Sequence, residues 1–112
     1  MDIEEILLSD SSSDYTFSHI RNALNFSYAE VIRERAQFVN PEKCLDLLFD
    51  AEFCLTAANL SEEEQEAVFL VWQMGNTQKE AAEKAGIGRQ AVGARLKRAE
   101  AKLTEVLRGW AA

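Results

Sequence analysis

Proline is almost missing from this 112-residue chain, and glycine is sparse. Pro41 stands alone and there are five glycines. That scarcity excludes a proline- or glycine-rich disordered polymer and favours long uninterrupted helices. Histidine is scarcer still, with His19 the single one. One histidine and two cysteines cannot supply the usual four zinc ligands. Nor do they suggest a Ser-His-Asp or Cys-His set. Cys44 and Cys54 lie ten residues apart with no C-x-x-C, so they read as small buried hydrophobes in a reducing compartment. On one helix they would point in different directions. No phosphate-cradling G-x-x-x-x-G-K occurs. Acidic neighbours such as Glu4 and Glu5 are better explained as surface charge than as acid–base machinery. No apolar run reaches the roughly 18 residues that a membrane span needs. "MDIEEILL" is too acidic and short for a signal peptide. The expectation is a cytoplasmic protein that is not an enzyme, with no cofactor, no metal and no membrane partner.

What is present is charge, unevenly placed. The chain carries a net −7, yet residues 1–75 hold 15 acidic and 4 basic side chains while residues 76–112 hold 4 acidic and 8 basic. The stretch "GIGRQAVGARLKR", Gly86 to Arg98, contains four basic residues and no acidic one. Such asymmetry suits an anionic partner at the basic end. It equally suits attraction between the two ends of the chain.

Helical spacing dominates the chain. Phe17, Ile20, Leu24, Tyr28, Val31, the stem of Arg35 and Phe38 recur with helical period, after a link or cap-rich "SDSSSD" at 9–14. Ser27 and Glu30 form an S-x-x-E box, which predicts a break near "NFS". Asn40 reads as an N-cap with Pro41 in the first turn. Leu45, Leu48, Ala51, Glu52 and Leu55 then keep helical period. Ser61 and Glu64 form a second box, opening a helix from Glu62 to Met74 that "GN" ends. Thr77 and Glu80 form a third, opening a short helix to Ala85. Gly86 stands where a left-handed cap is wanted, and Gly88 precedes a helix from Arg89 towards Arg108, about 30 Å long at 1.5 Å per residue. No strand alternation appears.

A short capped helix, a glycine turn and a long helix are the outline of a helix-turn-helix. Ala81, Ala82 and Ala85 are small enough for close crossing, and Ile87 plugs the turn. At 100° per residue, Val92, Leu96, Ala99, Leu103, Val106, Leu107 and Trp110 share the inner side of the long helix. Gln90, Gly93, Ala94, Lys97, Arg98 and Ala101 share the outer side. That outer side has the ingredients of major-groove readout. Glutamine pairs with adenine, alanine meets a thymine methyl, and lysine reaches guanine or phosphate. Arg89, in the first turn, could grip phosphate. Gly93 costs about 1 kcal/mol relative to Ala in mid-helix. It is either a low spot that admits a close approach or a tolerated defect. The competing account of the basic side is a solvated face, with Lys97, Arg98 and Lys102 pairing to Glu100 or Glu105.

From Leu60 to Leu107 the chain resembles region 4 of the sigma-70 family and related phage and bacterial sigma-like regulators. "LSEEEQEAV", "GNTQKEAAEKAGI" and the pattern V...L.RA..KL carry the likeness. The resemblance implies a module that docks on the −35 promoter element through its long helix and that can contact RNA polymerase. It implies that Thr77 and Gln78 meet phosphate, and that Arg89, Gln90, Gly93, Ala94 and Lys97 lie in or beside the groove. Gly88 stands where the family usually has Ser, which weakens the cap. Gly93 and Ala94 replace larger polar residues, which reduces base specificity. The N-terminal half is too short and acidic to supply the part that melts the −10 element, so a complete sigma factor is not expected. "RQAVGARLKRAE" is also similar to YlxM-like proteins linked to the signal recognition particle, although there the helix-turn-helix usually sits near the N-terminus.

The combined expectation is an all-α protein with an acidic helical N-terminal region over 1–58 and a C-terminal helix-turn-helix over 59–112 with a long recognition helix. Its expected role is transcriptional regulation through duplex DNA, with Thr77, Gln78, Arg89, Gln90, Gly93, Ala94, Lys97 and Arg98 as DNA-binding residues. Rival readings are an adaptor that binds RNA polymerase or another regulator, and an RNA-associated protein. "AVFLVW", Ala67 to Trp72, is too apolar for one buried stripe. Phe69 and Leu70 therefore call for cover, either from Leu45, Leu48, Phe49, Phe53 and Leu55 or from a homodimer. The acidic N-terminal region is expected to avoid DNA, because phosphate would repel it. It serves either as a helical cap or as a dock for a basic protein surface.

Overall fold

The structure, a computed structural model, describes residues 16–35, 37–38 and 40–111. The serine-rich stretch at 9–14 and the acidic "MDIEEILL" lie outside the described residues, as does the side chain of Tyr28. Among the described residues the protein is all-α, with no strand. Its elements are α1 (Phe17–Leu24), α2 (Phe26–Arg35), α3 (Pro41–Ala57), α4 (Glu62–Val68) with a π-helical turn (Phe69–Gln73), α5 (Gln78–Ala85) and α6 (Arg89–Ala111).

The capping signals account for most boundaries. Asn40 Oδ1 accepts from the Lys43 amide at 3.3 Å, with Pro41 in the first turn of α3. Ser61 and Glu64 cap each other's backbone amides at the start of α4, and Thr77 and Glu80 do the same for α5. These bonds satisfy amides that a helix start leaves without partners. The break between α1 and α2 falls at Asn25, inside the expected stretch, but Ser27 is not its cap. Ser27 already lies within α2, and its amide donates to Asn25 Oδ1 at 3.0 Å. Asparagine reaches an amide two residues on more readily than a serine already in helical geometry.

One buried cluster joins both halves of the chain. Ile20, Ala23, Leu24 and Ile32 from α1 and α2 meet Cys44, Leu47, Ala51 and Cys54 of α3, and these continue into Ala67, Val68 and Trp72 and into Val92, Leu96, Ala99 and Leu103 of α6. The inner face expected for α6 is the one observed. Val92, Leu96, Ala99, Leu103 and Leu107 are buried, with Val106 and Trp110 packed at the edge. Both cysteines are free and fully buried. They point about 80° apart around α3, yet its buried face is wide enough to hold both. Burial pushes both thiols up, that of Cys54 to about 11, so neither is a ready nucleophile.

The cover expected for the apolar run of α4 differs from that found. α3 turns its small residues inward and leaves Leu45, Phe49 and Phe53 exposed. Leu48 and Leu55 pack at the margin of the core, as does Leu70, but Phe69 remains 50% exposed. Apolar residues surround most of α3, so its periodicity alone does not select the inner stripe. Close approach to α1 and α6 selects the one carrying Cys44, Ala51 and Cys54.

Gly86 has φ +70°, and the Ile87 amide donates to Ala82 O at 3.0 Å, closing α5 with a left-handed cap. An added β-carbon at Gly86 would meet nothing within 4 Å, so a substitution there costs backbone conformation alone. Gly86→Ala should lower unfolding free energy in urea by about 1 kcal/mol. An unchanged midpoint would show that the turn is not left-handed.

Candidate nucleic-acid interface

α5 lies across the first half of α6, with Ala81 and Ala82 buried at the crossing beside Val92. Their methyl-sized side chains let the two backbones approach. α6 begins with Ala91 and Val92 donating to Gly88 O, so the amides ahead of them have no partner within the helix and face the partly positive helix end. Arg89 and Gln90 occupy that first turn, both exposed.

Gln78, Gln90, Gly93, Ala94 and Lys97 are brought together around one open cleft of about 560 Å³. Gly93 forms part of its floor. Gln78 Oε1 lies over it, 3.3 Å from where a β-carbon would stand. Ala94 and Lys97 are exposed beside it. Thr77 is exposed at the start of α5, its hydroxyl accepting from the Glu80 amide at 3.1 Å.

Arg98 is placed differently from its neighbours. Its Nε lies 3.4 Å from Glu64 Oε2, and Lys102 Nζ lies 2.6 Å from Glu64 Oε1. Arg95 turns towards Glu63 at 3.7 Å. Three of the basic residues of α6 therefore hold α4 rather than project freely. Of the pairs expected within α6, Lys97 to Glu100 or Glu105 is absent among the described residues, while Glu105 takes Arg108. Lys97 and Arg89 have no ion-pair partner among the described residues.

Glu64 is the electrostatic hub of this arrangement. Its side chain is only 3% exposed. The hydrogen bond from Lys102, then the bond from the Ser61 amide, hold its carboxyl down to about 2 against the opposing effect of burial. The S-x-x-E spacing reveals its capping role. Its pairing with residues 34 and 38 positions later is invisible in local sequence.

The cleft also contains residues that the local pattern did not single out. Phe17 and Arg21 of α1 and Trp72 of the π-helical turn form its other wall, and Glu100 of α6 also lines it. The Arg21 guanidinium lies 5.7 Å from the centre of the Phe17 ring, and that ring meets Trp72 edge-on at 5.3 Å. No three His, Cys, Asp or Glu side chains among the described residues gather where they could hold a metal ion. No helix among them is long and apolar enough to cross a membrane.

With this geometry the family comparison agrees. The model of sigma-70 region 4 matches residues 57–105. This part of the chain is a sigma-70 region 4-like helix-turn-helix domain. It is a DNA-binding type of module, and the match takes in the whole of α4, the π-helical turn and α5, and α6 as far as Glu105. No curated protein and no solved structure gives a significant match to the chain.

Glu64 gives the region 4-like module a signature in acid. Its carboxyl is lower in the folded state than its ordinary 4.5, so its contribution is complete above that value and is lost as pH falls towards about 2. Stability measured by urea unfolding should decline across that window. Glu64→Gln should flatten the decline and lower stability at neutral pH. Parallel acid profiles for the two proteins would contradict the assignment.

Proposed function

We propose that this protein regulates transcription by binding duplex DNA, with the first half of α6 entering the major groove. The observation that carries the reading is the exposure of Gln90, Ala94 and Lys97 along one side of α6, beside Gln78 of α5. Amide, methyl and ammonium groups then face outward together, the set that base edges and phosphates require. Arg89, at the open helix end, supplies a phosphate contact, and Thr77 supplies another from the start of α5. Arg98 supports the helix through Glu64 and lies at the margin of the interface. The protein acts in the cytoplasm by binding rather than by catalysis.

A second reading, docking on RNA polymerase or another protein, is favoured by the uncovered side of α3. Leu45, Phe49 and Phe53 are 49%, 65% and 62% exposed, and Asp46 and Glu52 are exposed among them. Apolar area of this kind marks a contact surface. The acidic rim suits a basic partner, and a homodimer is the alternative occupant. The two readings use different sides of the molecule and are compatible.

Binding of a labelled duplex across a salt series tests the main reading. Affinity should fall steeply as salt rises, because each phosphate contact releases counterions. Arg89→Ala and Lys97→Ala should each weaken binding and reduce the slope of log K against log salt by about 1. Glu62→Ala should change little. Negligible affinity at low salt would leave the adaptor reading.

Gly93 separates packing from recognition. Gly93→Ala gains up to about 1 kcal/mol of helix propensity. The new methyl asks only the flexible end of Gln78 to shift by a few tenths of an ångström. The variant should therefore match or exceed the parent in thermal stability while binding DNA less tightly, since the cleft floor is raised. Unchanged affinity would make Gly93 a tolerated defect.

A further inference from the structure

The wall of the cleft opposite α6 pairs Trp72 of the matched module with Phe17 and Arg21 of α1, which lie outside it. We propose that Arg21 of α1 grips a DNA phosphate and so extends the footprint onto the N-terminal part of the chain; the proposal rests on the DNA-binding reading.

Three independent features converge on Arg21. It lines the same cleft as Gln78, Gln90, Ala94 and Lys97. Its guanidinium carbon lies 5.7 Å from the centre of the Phe17 ring, Phe17 meets Trp72 edge-on, and Trp72 is buried in the core. A cation beside a ring face keeps its N–H groups free for an anion, and the planar arginine fork loses less entropy per hydrogen bond to phosphate than a lysine. No carboxylate pairs with it among the described residues.

The charge of the surrounding segment fits as well. The N-terminal half is acidic overall, but residues 15–29 contain no Asp or Glu, and Arg21 is their only Lys or Arg. Among the described residues, the N-terminal segment that lines the cleft is thus one without acid. On this proposal α1 is exempt from the repulsion expected of the acidic N-terminal region. Glu100 is the one carboxylate lining the cleft, set against Arg21 and Lys97, so the lining retains a positive balance.

A phosphate contact carries no sequence information, so a labelled mixed-sequence duplex is a sufficient probe. The full chain with Arg21→Ala should bind about threefold to tenfold more weakly at low salt, uniformly across duplex sequences, with the salt slope reduced by about 1. Arg21→Lys should retain the slope, because the charge remains. Arg21→Gln, which keeps the stem over Phe17, should reproduce the alanine result. It guards against a loss caused by unfolding, with each variant's thermal melt as control. A merely structural Arg21 would shift the melt and leave the slope alone.

If the parent protein binds and Lys97→Ala flattens the slope but Arg21→Ala and Arg21→Gln do not, the proposal falls and the DNA reading stands. Tighter binding by the Arg21 variants also overturns it, since α1 would then be a cover over the cleft. If the parent binds no duplex, the DNA reading fails and the proposal with it.

Discussion

A single buried carboxylate holds the basic end of this protein in order. Glu64 closes the first turn of α4 by accepting from the Ser61 amide, and it draws Lys102 and Arg98 of α6 onto the same two oxygens. Buried charges persist only when paired and hydrogen-bonded, and Glu64 is both. Because α4 and α6 are locked at this point, the rotation of α6 about its axis is set. Arg98 and Lys102 face α4. Lys97 lies about 100° from Arg98 around the helix and faces out. The division of basic side chains between structure and surface follows from that rotation.

The same rotation places Gln90 and Ala94 beside α5, where the left-handed turn at Gly86 brings the Gln78 side chain over Gly93. The second support is the π-helical turn. Its widened geometry is closed by Met74 N to Phe69 O, and Asn76 ties back to Leu70 O through both its backbone and side-chain amides. Trp72 is thereby buried beneath Phe17. An edge-on aromatic pair thus links the matched module to α1, and an N-terminal helix outside the family match becomes part of one wall of the candidate interface.

Much of the fold was legible in the chain. Ser61 with Glu64, Thr77 with Glu80, and Asn40 with Pro41 are local signals, and each cap forms where its spacing puts it. The α6 core face was legible because Val92, Leu96, Ala99 and Leu103 repeat without interruption. Other features were not. The π-helical turn has no sequence mark, since "FLVWQ" would continue an α-helix equally well. The inner stripe of α3 was not legible, because Leu45, Phe49 and Phe53 keep helical period as faithfully as Cys44, Leu47, Ala51 and Cys54. Among the candidate site residues, Arg98 looked equivalent to Lys97, and only the approach of α4 distinguishes them.

The sequence by itself determined most of the helix starts and caps, the glycine turn and the amphipathic face of α6, because these depend on residues no more than five positions apart. It also determined the electrostatic contrast between the two parts of the chain. Tertiary structure alone decided which cations remain available, which side of α3 is left uncovered, and that Arg21 joins Lys97 at one cleft. Each of those outcomes depends on groups far apart in the chain and close in space, where burial and pairing act and local spacing carries no information.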